Sequence, residues 1–237
     1  MIRIFAWHQI KNAPFCTKIE DFNQQLDFLK KTLPIISSLD EKKPNNCALL
    51  TFDDATIDFY THVFPLLKKK QMPAVLAVPT GWIQPKSSLN LEKRLKLLQA
   101  PNPFTNYEAF CSVEELKEMQ DSKLVTLASH GHLHKNLKVD PDFDELTLNL
   151  AFFEKHFQTR PSTFIFPYGA YDRSIIKEAK KHYKHLIRIG SCWNQWPNPK
   201  IYYRVVMDKI ANIEPLFNFK NSLKFICKET LNRLRNH

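Results

Sequence analysis

Two adjacent carboxylates end an apolar run in CALLTFDDATIDF, residues 47–59. If Asp53 and Asp54 both stay ionised and both leave water they repel, so something must offset that cost or keep them solvated. A helix N-terminus accommodates one Asp, which accepts orphan backbone N–H groups at the positive end of the helix dipole. A cation beside the pair accommodates both. Three other runs end in groups of comparable chemistry. His8 follows IRIFAW (2–7), Ser129-His130-Gly131-His132-Leu133-His134 closes LVTLAS (124–129), and Pro167-Tyr168-Gly169 closes TFIFP (163–167).

The three histidines compete. On an extended strand all three share a face, but His130 and His134 then stand roughly 13 Å apart. A single ion with ~2.1 Å Zn–N bonds cannot bridge that distance. In a helical turn, residues four apart project side by side, so a metal reading selects His130 and His134 and leaves His132 as a bystander. Two imidazoles and one carboxylate leave open positions on a divalent ion, which marks a catalytic rather than a structural site. One Asp of the pair then binds the ion, and the other stays free as a base beside activated water. The ion's charge keeps both carboxyls ionised.

These groups need elements that bring strand ends together. Further short apolar runs are AVLAVP (74–79), HLIRIG (185–190) and YYRVVM (202–207), and helix-like stretches fall at about 21–33, 56–70, 113–121, 141–157 and 172–183. Continuous apolar strands alternating with helices predict a parallel sheet covered on both faces. Seven strands suit an α/β fold of the distorted, incomplete (β/α)7-type barrel, whose active sites gather at the C-terminal strand ends. No GxGxxG follows any strand, which argues against dinucleotide binding. The chain reads as one domain over 1–237. The polar, Pro-containing segment at about 82–110, with a short helix at 89–99, is expected to be an insertion that covers a site or grips substrate.

A last amphipathic helix is expected at about 214–235, with Leu216, Leu223, Ile226, Thr230, Leu231 and Leu234 near one face and Lys220, Lys224 and Lys228 on another. Packing on the barrel with a solvated basic side is the preferred reading, and peripheral membrane contact is the alternative. The formal charge of +10 points to an anionic partner, but no nucleic-acid motif is present, so no specific nucleic acid is expected. Five scattered cysteines without CxxC spacing argue against a disulfide framework and favour a reducing compartment. No signal-like segment and no membrane-spanning run is evident, so a cytoplasmic location is the expectation.

These motifs resemble the polysaccharide deacetylases of the NodB-homology, carbohydrate esterase family 4 type. Thr51-Phe52-Asp53-Asp54 matches the family's first motif. Ser129-His130 through His134 to Leu137 matches the second, and FIFPYGAYD matches the third. The resemblance implies Asp53 as general base, and Asp54, His130 and His134 as ligands of a divalent metal, zinc first. It implies the backbone N–H of Tyr168 as an oxyanion donor. Two departures stand out. Ile165 and Phe166 occupy the place where many members carry an Arg before PYG, and no His follows His185 until His237. Both match the permuted PgaB/IcaB-type subgroup, in which an N-terminal strand ending in aromatic-His supplies the acid. Trp7-His8 fits that place, and Arg204 is assigned as the substitute for the missing Arg beside Asp53.

The implied activity is metal-dependent removal of an N-acetyl group from an amino sugar or glycoconjugate, with a nucleotide- or lipid-linked sugar as one form of the substrate. Another metal-dependent C–N hydrolase on this scaffold and a non-catalytic glycan- or anion-binding module are the alternatives.

Overall fold

The computed structural model describes residues 1–235 apart from 14–15, 43, 101, 196–198 and 200, so His237 and Pro101 of the inserted segment lie outside the described residues. Eight parallel strands carry the fold: β1 (Ile2–Trp7), β2 (Ile35–Ile36), β3 (Cys47–Phe52), β4 (Ala74–Val78), β5 (Val125–Ser129), β6 (Thr163–Ile165), β7 (His185–Ile189) and β8 (Tyr202–Val206). The order β3-β4-β5-β6-β7-β8-β1 closes through a β1–β3 pairing into a seven-stranded barrel. The two-residue β2 went unread in the sequence. It pairs with Ala48 and Leu49 in the first half of β3, and β4 pairs with Thr51 and Phe52 in the second. The barrel is uneven. β1 and β3 run together over six residues, whereas β5 and β6 meet only at Ser129 and Phe164.

The period of two along each strand explains how the barrel makes a site. Ile4, Cys47, Leu49, Val75, Ala77, Ala128, Ile165, Ile187 and Tyr202 form one buried apolar cluster. Alternate residues such as Phe5, Leu50, Phe52, Leu76 and Leu127 belong to the cluster packed under the helices. Continuing the inner rows past their apolar ends gives Ala6 then His8, Thr51 then Asp53, Ala128 then His130, and Tyr202 then Arg204. The polar site is therefore the top of the barrel's own interior.

Helices α1 (Ile19–Thr32), α2 (Phe64–Lys70), α4 (Val113–Asp121), α5 (Asp144–Phe157) and α6 (Arg173–His182) follow five of the strands, and α3 (Leu91–Leu97) lies in the inserted segment. A π-type turn at Phe59–Val63 leads into α2. Ser112 and Glu115 form a reciprocal capping box that starts α4. Arg94 of α3 is buried. It donates to Glu108 O, Phe110 O and both carboxylate oxygens of Glu115, which fastens the segment to α4.

A short 3-10 turn at Glu214–Phe217 precedes α7 (Phe219–Arg235). Here the structure corrects the sequence reading. Leu223, Leu231 and Leu234, expected against the barrel, are exposed. Leu216 and Ile226 do pack against the core as expected, joined by Phe225, whose ring lies 4.4 Å from that of Trp193, and by Glu229, which is fully buried and accepts the Gln195 N–H at 2.8 Å.

Candidate active site

Asp53 and Asp54 leave β3 in opposite senses because the chain turns between them. Asp53 continues the strand, its N–H bonded to Trp7 O at 2.9 Å. Asp54 and Ala55 both adopt left-handed backbone, with φ of 72° and 52°. Such conformations are uncommon for residues with a Cβ and concentrate at functional sites.

Asp53 is met by the protein's own cations. The buried Arg204 of β8 grips it with two parallel bonds, Nη1 to Oδ1 at 2.6 Å and Nη2 to Oδ2, while Nη1 also donates to Thr51 Oγ1 at 3.2 Å. His8 Nε2 stands 3.5 Å from Asp53 Oδ2. Burial alone pushes the Asp53 carboxyl up. Arg204, His130 and His8 outweigh it and hold the group well below the usual carboxylate range. His8 is held in turn by Asp208, two residues past the end of β8. That carboxylate accepts the ring Nδ1–H at 2.5 Å and the His8 backbone N–H at 3.2 Å. Burial pulls the His8 imidazole down, but Asp208, Asp53 and Asp54 raise it to about 9.

Asp54 faces imidazoles. His130 Nε2 lies 3.5 Å and His134 Nε2 3.3 Å from Asp54 Oδ1. His130 Nδ1 bonds Ile165 O at 2.7 Å, so Nδ1–H is the donor there and Nε2 is turned towards the site. Burial, reinforced by neighbouring His130 and His8, pulls His134 down to about 4 against the pull of the carboxylates, so it is a neutral donor at neutral pH. Burial also raises the Asp54 carboxyl, and His130 and His134 outweigh it, holding it below its ordinary value. Asp54 Oδ1 is nevertheless buried with no hydrogen-bond partner among the described residues. One atom from each of the three side chains lies within 4.8 Å of the others. Ligands of a tetrahedral ion with ~2.1 Å bonds sit about 3.4 Å apart, so this donor set fits a divalent cation such as zinc.

The geometry corrects one step of the sequence reading. His130 and His134 do not share a helical turn. Residues 130–134 form a loop in which Gly131 and His134 take φ of 75° and 62°. Two buried residues of α5 shape it. Asn149 Nδ2 donates to Val78 O at 3.0 Å and to Gly131 O at 2.5 Å, and Glu145 accepts the N–H groups of Leu133 and Lys135. His132 turns away, its Nδ1 3.0 Å from Thr80 Oγ1.

Tyr168 also takes left-handed backbone, and its exposed ring packs 4.7 Å from His134. On the other side of His134 the inserted segment stacks Phe104 at 4.4 Å and 13°. All seven residues singled out from sequence, His8, Asp53, Asp54, His130, His134, Tyr168 and Arg204, line one cleft of about 650 Å³. Sequence reasoning missed Asp208 and Phe104. Asp208 carried the same signal as the others, a polar residue at the end of an apolar run. Phe104 carried none.

The family model for polysaccharide deacetylases matches residues 40–186. A poly-beta-1,6-N-acetyl-D-glucosamine N-deacetylase of Escherichia coli O157:H7 is 27% identical over 168 residues, covering 58% of this chain and 24% of that protein. One from Staphylococcus aureus (strain MRSA252), with the same name, is 24% identical over 192 residues, covering 73% of this chain and 60% of the relative. The chain thus spans about a quarter of the first relative's length. Among solved structures, IcaB from Ammonifex degensii superposes with a TM-score of 0.71 at 19% identity, covering 88% of this chain and 92% of that one. A de-N-acetylase from Aggregatibacter actinomycetemcomitans superposes with a TM-score of 0.72 at 17% identity, covering 95% and 99%. At such identities these likenesses speak for the fold.

Proposed function

The chain belongs to the polysaccharide deacetylase family, and from that premise we propose that it hydrolyses the N-acetyl group of an amino-sugar glycan, releasing acetate and a free amine. The observation that carries this reading is the division of labour around the two aspartates. Asp54, His130 and His134 offer three converging donors, with Asp54 Oδ1 buried and without a hydrogen bond, and Asp53 and His8 stand beside them already paired with Arg204 and Asp208.

A divalent ion held by Asp54, His130 and His134, zinc in our reading, would supply Lewis acidity towards water and the acetyl carbonyl. The chain's own residues supply the rest. Asp53 is the base that removes a proton from the attacking water, and Arg204 keeps it ionised and aimed. As the new C–O bond forms, the carbonyl oxygen gains charge, and the Tyr168 backbone N–H serves as a donor to it. One such donor contributes roughly 3–4 kcal/mol to the transition state. The C–N bond then breaks and His8, protonated and oriented by Asp208, delivers a proton to the departing nitrogen. Phe104 and Tyr168 flank His134 and give the sugar an apolar wall.

The relatives' names point to β-1,6-linked N-acetylglucosamine as the first substrate to test, with nucleotide- and lipid-linked N-acetyl sugars beside it. A cytoplasmic location is part of the proposal and is tested by cell fractionation. The decisive assay measures acetate release from these substrates before and after chelation and zinc return. Chelation should abolish release and zinc restore it. Asp53→Asn should retain the metal and lose most turnover. Full turnover by Asp53→Asn, or release indifferent to chelator, overturns the assignment.

A further inference from the structure

The outward face of α7 is unlike that of the other helices. Phe219 is 85% exposed, Leu223 49%, Leu231 52% and Leu234 69%. At 100° per residue, Phe219, Leu223 and Leu234 fall within about 60° of one another, and Leu231 lies beside them among the lysines. Lys220, Lys224 and Lys228, also exposed, form one flank. The single acidic residue of the helix, Glu229, is turned inward and completely buried, bonded to the Gln195 N–H and to Arg233. Among the described residues, the outer surface of α7 is thus apolar and cationic with no carboxylate on it. By contrast α6 exposes Arg173, Lys177, Lys180 and Lys181 with no large apolar side chain among them.

Burying four large apolar groups at a water boundary is favourable by roughly 25 cal/mol per Å² of apolar area, and the lysine row selects for negative charge on the covering surface. We propose that α7 lies flat on an anionic lipid bilayer, with Phe219, Leu223 and Leu234 in the headgroup boundary and the lysines on the phosphates. Among the described residues no helix is long and apolar enough to cross a membrane, so the contact is peripheral. A second copy is the poorer occupant. An antiparallel pair would set lysine row against lysine row, and the chain's +10 charge opposes self-association. The inner anchors, Phe225 on Trp193 and Asn232 on Gly190 O at 2.9 Å, hold the helix on the barrel while its outer face binds.

The test is co-sedimentation of the whole protein with vesicles of phosphatidylcholine alone and of phosphatidylcholine with one third phosphatidylglycerol. The protein should partition onto the anionic vesicles and detach as salt rises. Replacing Lys220, Lys224 and Lys228 by Gln should weaken partition about a hundredfold, taking roughly a kcal/mol per lysine near a charged surface. Phe219→Ser with Leu223→Ser, both at exposed positions, should abolish it without altering the thermal melt. A control triple, Lys177, Lys180 and Lys181 to Gln on α6, separates the helix from the general charge and should leave partition nearly unchanged. Equal loss in that control, absence of binding to anionic vesicles, or a protein that sediments as a dimer through Leu223 and Leu234 would each overturn the proposal.

Discussion

Asp53 and Asp54 are neighbours in sequence and opposites in surroundings. Asp53 is saturated by Arg204 and His8, so the fold itself balances its charge. Among the described residues Asp54 Oδ1 faces two imidazoles at 3.3 and 3.5 Å, one of them lowered to about 4, and is buried without a hydrogen-bond partner. One half of the cleft is balanced by the fold's own charges, and the other presents three converging donors. Breaking the first should therefore damage the fold whether or not metal is present, and breaking the second should damage only what metal adds.

The largest effect is expected from Arg204→Met. It leaves the buried Asp53 without its counter-charge, and removing one partner of a buried ion pair typically costs about 3–5 kcal/mol. Urea unfolding of the metal-free variant should show that loss, and added zinc should not repair it. A loss below about 1 kcal/mol would mean that Asp53 is not balanced by Arg204. His134→Ala is the matched experiment on the other half. Zinc at a hundred times its dissociation constant should stabilise the parent protein by about 2.7 kcal/mol and the variant by close to nothing. Equal zinc-induced shifts in melting temperature would remove His134 from the ligand set.

Smaller and more local is Gly131→Ala. The position holds φ of 75°, and an added Cβ would stand 2.5 Å from Glu145 Oε2. A left-handed Ala costs about 1–2 kcal/mol, and the displaced carboxylate would release the Leu133 and Lys135 N–H groups that shape the loop. The expected signature is zinc affinity reduced more than overall stability, read by competition with a chromogenic chelator.

The two halves also differ in how visible they were in the sequence. The barrel's strands were readable because parallel strands buried on both faces must be continuously apolar, and a polar residue that ends such a run is conspicuous. That rule located His8, Asp53, Asp54, His130 and Tyr168, and would have located Asp208 after YYRVVM had it been applied there. It could not show that residues 130–134 are a loop, because the cause lies elsewhere: Asn149 and Glu145 reach the backbone from α5, and no local pattern encodes that contact. The stacking of Phe104 on His134 depends in the same way on how Arg94 folds the inserted segment. On α7 the sequence reading placed one apolar face on the barrel; Leu216 and Ile226 do pack there, whereas Leu223, Leu231 and Leu234 face outward and Phe225 and the buried Glu229 complete the contact.

The finest distinction concerns protons on the completed half. His8 is raised from 6.5 to about 9 by Asp208, Asp53 and Asp54 against the opposing effect of burial. Because the folded value lies above the unfolded one, the protonated imidazole contributes stability that is full below about pH 6.5 and lost as pH rises through about 9. As the acid for the leaving amine, His8 should likewise support turnover on the acidic side of that step, giving an alkaline limb. A bound divalent ion adds positive charge nearby and moves the limb to lower pH, so parent and variant must be compared in the same metal state. Asp208→Asn removes a bonded carboxylate and should move the limb towards acid by on the order of one unit, while zinc affinity stays close to that of the parent. A limb that stays in place in Asp208→Asn but vanishes in His8→Gln would keep His8 as the acid and deny Asp208 its hold on that proton. A limb unmoved in both would detach the proton step from this half of the cleft altogether.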